Sequence, residues 1–292
     1  YRCDHIAESL RFHGLRASVI SQDSPFLSRS VDSFSAFVFH RTSRTSLIGT
    51  FIEVLKAKKK TIIFDTDDLV FDADIFRETA AYEAMNSFEK KQYDRGVGDE
   101  LLRDPGLSAV TTSTKFLAER LRAFGKPVFI LPNRLSRKDV ETADGILSRV
   151  SNRKASERNP DEISIGYFSG STGHDRDFSV VAPVLARLLD EVPSLRIFVG
   201  GPLTLPNILD GFSSRIDRSA FVPRNENFEN IANVDINIAP LEVGDPFCES
   251  KSELKFFEAG IVGVPTIASA TRTFRSSISD GVDGFVAERE DE

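Results

Sequence analysis

The feature that most restricts the fold of this chain is an alternation. Short β-rich apolar runs are separated repeatedly by longer segments whose apolar residues recur at helical spacing. A parallel strand pair needs a long crossover, which a helix supplies, so the repeated pattern predicts an α/β fold built on parallel sheets with helices on both faces. In chain order it predicts a helix over residues 2–12 with Ile6 and Leu10 inward and Gly14 closing it, then strands at 17–20 and 36–39. A helix at 45–57, a strand at 61–64, a longer helical stretch at 74–93 and a strand at 108–112 follow. A helix at 114–124, closed by Gly125, and a strand at 128–131 end the first series. A second series has strands at 163–168, 195–199, 220–222, 235–239, 266–268 and 284–287, with helices at 178–189, near 228–232 and from Lys251 onward.

At 292 residues the chain exceeds what one core usually organises, so two domains are expected. Residues 148–162, SRVSNRKASERNPDE, hold Val150 and Ala155 as almost their only apolar members, the composition of an exposed hinge. The expected division is residues 1–150, a linker at 151–162, and residues 163–292. No apolar run approaches the roughly 18 residues of a membrane span, and 28% charged residues suit a water-soluble protein. A net charge of −7 argues against the broad basic surface that nucleic acid requires, so no nucleic-acid partner is expected. Cys3 and Cys248 are too few and too far apart for a disulfide framework, which points to a reducing, cytoplasmic compartment. Lys56, Lys58, Lys59 and Lys60 either complement the end of the preceding helix or touch acidic lipid, which leaves a peripheral contact with the inner face of a membrane open. A start at Tyr1 rather than Met raises the expectation of a piece of a longer protein.

Four stretches carry the chemistry. The first is KSELKFFEAGIVGVPTIAS, residues 251–269. If its first half is helical, Lys251, Lys255 and Glu258 share one face, which suits either an anionic ligand or a solvated face with its own ion pairs. The second, SGSTGHDRD at 169–177, follows a strand and precedes a helix. There Gly170, Ser171, His174 and Arg176 fit an anion held by backbone donors and a fixed charge, while a Gly-Ser turn capped by Asp175 or Asp177 fits equally. The third, IIFDTDDLVFD at 62–72, sets Asp65, Asp67 and Asp68 at the carboxyl end of a strand, where parallel sheets hold ligands. Asp65 and Asp67 resemble the D-x-D of Mg²⁺-dependent haloacid-dehalogenase-type phosphatases, although Leu69 departs from that motif and two strands precede it. As the alternative, these carboxylates accept hydrogen bonds from hydroxyl groups or cap their own turn. The fourth, PLEVGDPFCES at 240–250, is a rigid connection that a ligand could thread.

Glu258-Ala259, Gly263, Pro265 and Ala268-Ser269 together resemble the donor-site signature of GT-B fold glycosyltransferases, especially the retaining family 4. The segments IGYFSGSTGHDRDF, VPSLRIFVGG, IANVDINIAPLE, VTTSTKFLAERL and ILPN fall where that family would have them, so the resemblance covers nearly the whole chain. The family's first strand and last helix are missing from the pattern. The resemblance implies two Rossmann-like parallel-sheet domains facing across a cleft, the first acceptor-side and the second nucleotide-sugar-binding, with the 148–162 stretch as hinge. It implies transfer of a sugar from a nucleotide-diphosphate sugar to a saccharide, lipid-linked or protein acceptor in polysaccharide or glycoconjugate synthesis. The nucleotide sugar is then a co-substrate, and neither a further cofactor nor a metal is expected.

Residue by residue, Glu258 matches the Glu that accepts hydrogen bonds from the ribose. The partner Glu eight residues earlier is Ser250 here, with Glu249 or Glu253 as a neighbour to substitute in part. Arg176 and Lys251, with Lys255 behind, are the expected diphosphate cations, and Gly170, Ser171 and His174 complete the donor loop. Asp65, Asp67 and Asp68 then line the acceptor side with His40 and Arg41, and Asp67, Asp68, Arg176 and Lys251 are the catalytic candidates. Cations and a helix N-terminus at the departing diphosphate replace a metal in this scheme. The remaining alternatives are the phosphatase and a sugar-nucleotide-binding module without catalysis.

Overall fold

The alternating runs build two all-parallel sheets, one of four strands and one of six, each belonging to its own unit of the chain. The computed structural model describes residues 1–83, 85–153 and 161–289. Unit 1 comprises Tyr1–Arg134 with Ser250–Ser252, and unit 2 comprises Leu135–Glu249 with Glu253–Glu292.

In unit 1, α1 (Arg2–Phe12) precedes β1 (Ala36–His40), α2 (Ser46–Ala57) and β2 (Thr61–Thr66). Short helices α3 (Ala73–Arg77), α4 (Ala80–Glu83), α5 (Ser87–Tyr93) and α6 (Asp99–Leu102) lead to β3 (Ala109–Thr112), α7 (Lys115–Leu121) and β4 (Val128–Ile130). The sheet runs β1-β2-β3-β4 in sequence order, and its register sets His40 beside Asp65 and Asp65 beside Thr111. Ile52, Leu55, Phe64, Leu69, Val110 and Leu117 are buried in this unit. Helix starts are capped as the sequence suggests: Thr45 accepts from the amide of Ile48 at 3.3 Å and Thr114 from that of Leu117 at 3.2 Å.

Two expectations for unit 1 are corrected. Residues 17–20 form no strand; Val19 and Ile20 are exposed, and the Ala17 carbonyl accepts from Arg11 Nε at 2.8 Å. The stretch at 74–93 is three helices rather than one, because capping side chains restart the helix twice. Thr79 Oγ1 accepts from the amide of Tyr82 at 3.2 Å, while Asn86 and Glu89 each take the other's backbone amide, at 3.0 and 2.9 Å, in a capping box. The lysine cluster is tied within the unit: Lys56 to Glu53 and Asp104, Lys58 to Asp32, and Lys60 to the carbonyl of Phe34.

Unit 2 contains α8 (Arg137–Arg153), β5 (Ile163–Phe168), α9 (Asp175–Ser179), α10 (Ala182–Glu191), β6 (Leu195–Gly200) and β7 (Ile216–Ser219). Then come α11 (Arg224–Ala232), β8 (Ile236–Ala239), α12 (Pro246–Ser250), α13 (Leu254–Gly260), β9 (Thr266–Ser269), α14 (Arg272–Ser277) and β10 (Gly284–Ala287). The strand order is β10-β9-β8-β5-β6-β7, so successive strands grow outward from β5 in one direction and then resume on its other edge. Such a reversal opens a crevice at the carboxyl ends of β5 and β8, the usual ligand position in open parallel sheets.

Here too the structure corrects the sequence reading. Residues 148–153, expected in the linker, belong to α8, and residues 154–160 lie outside the described residues. The cap of α8 is reciprocal: Ser136 Oγ accepts from the amide of Asp139 at 3.0 Å, and Asp139 accepts from the amide of Ser136 at 2.8 Å. Ala143 and Ile146 of α8 are buried against α11 and α13, so the two units divide at Arg134/Leu135 rather than near residue 150. The strand expected at 220–222 lies at Ile216–Ser219, on the edge of the sheet where a polar strand is tolerated. The helix expected from Lys251 begins at Leu254.

Phe178, fully buried against Tyr167 and the aliphatic residues under β5 and β6, anchors the core of unit 2. Phe178→Ala should cost about 3–5 kcal/mol of stability, measured by urea unfolding with unchanged far-ultraviolet circular dichroism.

Candidate functional site

In unit 1 the parallel register brings a carboxylate, an imidazole and a hydroxyl to one point. Asp65 is buried at the end of β2, and its two oxygens are held by Arg2 Nε at 2.7 Å and Nη2 at 2.8 Å. His40 Nδ1 lies 2.7 Å from Oδ2, and Thr111 Oγ1 donates to Oδ1 at 2.6 Å. Burial alone would raise this carboxyl, but hydrogen bonds from His40, Arg2 and Thr111 together with the Arg2 charge hold it at about 2. An ionised carboxylate only accepts, so His40 Nδ1 carries the proton and Nε2 faces outward, 3.8 Å from Asp67. Arg2 also donates to the carbonyl of Leu131 at 2.8 Å and to Asn133 at 2.9 Å, which fastens α1 to the sheet end.

Around this centre Arg41 clamps Asp67 through Nε at 2.7 Å and Nη2 at 2.6 Å, and reaches Asp68 at 3.4 Å. Arg41 takes a left-handed backbone (φ 43°), and its amide donates a hydrogen bond to the carbonyl of Asp65 at 2.9 Å. Lys251 lies with this group, its Nζ 3.6 Å from Asp68. That corrects the expected donor-site edge: Lys251 precedes α13 and pairs with a unit 1 carboxylate instead of stacking under Lys255 and Glu258. His40, Arg41, Asp65, Asp67 and Asp68, expected as one group from the sequence, are brought together at the ends of β1 and β2. Asp65 is so fully engaged by donors that it makes a poor nucleophile, which removes the attacking group of the phosphatase alternative.

In unit 2 the loop after β5 meets the glycine pair after β6. The amide of Ser169 donates to the carbonyl of Gly200 at 2.7 Å, and Ser169 Oγ donates to the carbonyl of Ser171 at 2.7 Å. Gly201 has φ +85°, and a Cβ there would lie 2.1 Å from the carbonyl oxygen of Ser169, so only glycine permits this approach. A cavity of about 380 Å³ opens beside it, lined by Gly201, Pro202, Arg218, Ser219, Ala220 and Phe221. Gly170 borders open space on the same loop. Lys255, from α13, donates to the carbonyl of Phe168 and sits 4.8 Å from the centre of the Tyr167 ring, which fixes its ammonium at the end of β5.

The other expected donor residues are placed differently. Glu258 is largely buried and forms an ion pair with Arg224, which also binds Asp139 at 2.9 Å. Arg176 pairs with Glu242 at 2.7 Å, and His174 Nδ1 lies 2.9 Å from Asp177. Asp177 also accepts from the buried thiol of Cys248 at 3.3 Å, and burial, with Asp177 beside it, pushes that thiol well up. Glu249 is a backbone latch, taking the amides of Gly244 at 3.2 Å and Arg272 at 3.0 Å; Glu253 is buried at the start of α13, and Ser250 is fully buried.

One cavity and two partners escaped the sequence reading. The cavity had a visible signal in Gly200-Gly201-Pro202 directly after a strand. Arg224 and Glu242 had none, since a lone arginine and a lone glutamate announce no partner 34 or 66 residues away.

With this geometry in hand, comparison with solved structures decides the architecture. HepE from Anabaena, in complex with UDP and glucose, superposes with a TM-score of 0.60 at 12% identity over 97% of this chain and 76% of that one. The fold is GT-B. A glycosyltransferase from Rickettsia africae superposes at 0.55 with 12% identity, over 97% of this chain and 73% of its own. WaaG, a glycosyltransferase involved in lipopolysaccharide biosynthesis, reaches 0.56 with 12% identity, over 89% of this chain and 80% of its own. No family model matches the sequence, and no curated protein matches it either.

The Asp65 cluster makes two measurable predictions. Arg2→Met should cost about 3–5 kcal/mol, because it leaves a buried carboxylate uncompensated. The folded value of about 2 for Asp65 lies below the roughly 3.9 of an unfolded aspartate. Its ionisation therefore adds stability that is complete above pH ~4 and lost as pH falls through ~2, and Asp65→Asn should flatten acid unfolding curves in that window.

Proposed function

We propose that this chain is a glycosyltransferase that moves a hexosyl group from a nucleotide-diphosphate sugar to a hydroxyl of a saccharide, lipid-linked or protein acceptor. The observation that carries this reading is the sheet end of unit 2. There Lys255 sets its ammonium at the carbonyl of Phe168, the last residue of β5, and a cavity opens at the ends of β6 and β7, where Gly201 packs against Ser169. A cation and an aromatic-walled cavity on the same carboxyl edge of the sheet suit a nucleotide: the base meets Phe221 and the diphosphate meets the charge. Complexes of the similarly folded HepE with UDP and with UDP-glucose support UDP as the first nucleotide to try.

When the bond between the anomeric carbon and the diphosphate breaks, negative charge grows on the departing phosphate oxygen. Lys255 and Arg176 stabilise that charge in place of a metal ion, and Gly170 and Ser171 leave room for it on the loop. On unit 1, Asp67, Asp68 and Nε2 of His40 offer acceptors for sugar hydroxyls, with Arg41 and Lys251 holding the two carboxylates in place. The resemblance to family 4 supports retention of anomeric configuration and a role in polysaccharide or glycoconjugate assembly. Nucleotide-sugar chemistry and two unpaired cysteines fit a cytoplasmic enzyme. Among the described residues no helix is long and apolar enough to cross a membrane.

The test is binding. UDP or UDP-glucose at millimolar concentration should raise the unfolding temperature, and Lys255→Met should weaken UDP by about tenfold or more while the fold persists. Absence of any thermal shift with UDP-, GDP- and dTDP-linked sugars would remove the donor assignment.

A further inference from the structure

Arg176 stands on α9, directly after β5, and Glu242 stands in the loop directly after β8, so the two face each other across the crevice where the strand order reverses. Their contact is two-pronged, with Nε 2.7 Å from Oε2 and Nη2 3.0 Å from Oε1. A guanidinium presents the same fork to a carboxylate and to a phosphate, so Glu242 occupies the position on Arg176 that a phosphate would take.

Both partners are held in place by their neighbours. Asp175 accepts from the amide of Thr204 at 3.1 Å, and Asp177 is fixed by His174 and Cys248, so Arg176 is carried between two latched residues. On the other side the amide of Leu241 donates to Ser269 Oγ at 2.8 Å, the amide of Asp245 donates to the carbonyl of Glu242 at 3.3 Å, and Glu249 holds the amide of Gly244. The ion pair itself is exposed, Arg176 at 57% and Glu242 at 40%. Its backbone supports are therefore fixed while the contact between the side chains opens at small cost.

We infer that Glu242 is an internal competitor for the donor diphosphate: it occupies Arg176 in the free protein and must release it when a nucleoside diphosphate binds. This rests on the donor reading given above and adds a residue that sets donor affinity. Glu242 lowers affinity for a diphosphate and leaves affinity for the nucleoside alone untouched, because the nucleoside makes no claim on the guanidinium. An exposed pair of this kind accounts for about a threefold to fivefold effect.

Isothermal titration of UDP and of uridine into the wild type, E242Q, R176Q and the double variant tests this. Both substitutions are at exposed side chains, and circular dichroism with a thermal melt establishes that each of the four proteins is folded. The expected result is that E242Q tightens UDP about threefold to fivefold, leaves uridine unchanged, and gives no gain in the R176Q background. The inference is overturned if E242Q leaves UDP unchanged or weakens it, if uridine shifts equally, or if the gain persists without Arg176. Wild type that binds UDP without a gain in E242Q removes only this inference, whereas folded wild type and E242Q that both ignore UDP, GDP and dTDP remove the donor reading and the inference with it.

Discussion

Strand β5 is paired on both edges by parallel neighbours, β6 and β8, and every candidate ligand group of unit 2 follows from that constraint. Parallel pairing forces each return of the chain through a crossover, so all strand carboxyl ends, and the loops that leave them, collect on one side of the sheet. The loop after β5 brings Ser169, Gly170 and Arg176. The loop after β6 brings the glycine pair, that after β7 the wall at Phe221, and that after β8 Glu242 and the latch at Glu249. Lys255 reaches the same end from α13 because that helix packs against β8 and β9.

Unit 1 shows the same logic with a different outcome. Register places His40, Asp65 and Thr111 side by side on adjacent strands, and a buried arginine from α1 neutralises the carboxylate at their centre. Removing Asp65 from water is costly, and the bidentate arginine, the imidazole and the hydroxyl together recover that cost through directed hydrogen bonds. A carboxylate satisfied in this way organises its neighbours. Asp67 and Asp68, nearer to solvent, are the ones left to meet a ligand.

Much of this was legible in the sequence, for reasons that particular residues illustrate. The runs at 61–64, 163–168 and 235–239 read as strands because apolar β-branched and aromatic residues dominate them. Gly14 and Gly125 marked helix ends through their left-handed backbones. Local composition misled in two places, in opposite ways. Residues 148–153 close α8 although their composition suits a linker, and Ala143 and Ile146 bury one side of that helix. Residues 17–20 have strand-forming side chains and no partner strand, and without a ladder the backbone bonds elsewhere. Thr79 and Asn86 cap new helix starts inside the stretch at 74–93, whose periodicity by itself suits one helix.

By itself the sequence determined the class of the fold, the approximate strand series and the identity of the carboxylate group after β2, because apolar periodicity and loop position are local properties. Only tertiary structure decided what each charge does. Lys251 joined Asp68 rather than Lys255, Glu258 was taken by Arg224, and Arg176 was taken by Glu242. An ion pair depends on distances of about 4 Å between residues far apart in the chain, and nothing in local spacing encodes which opposite charge arrives there.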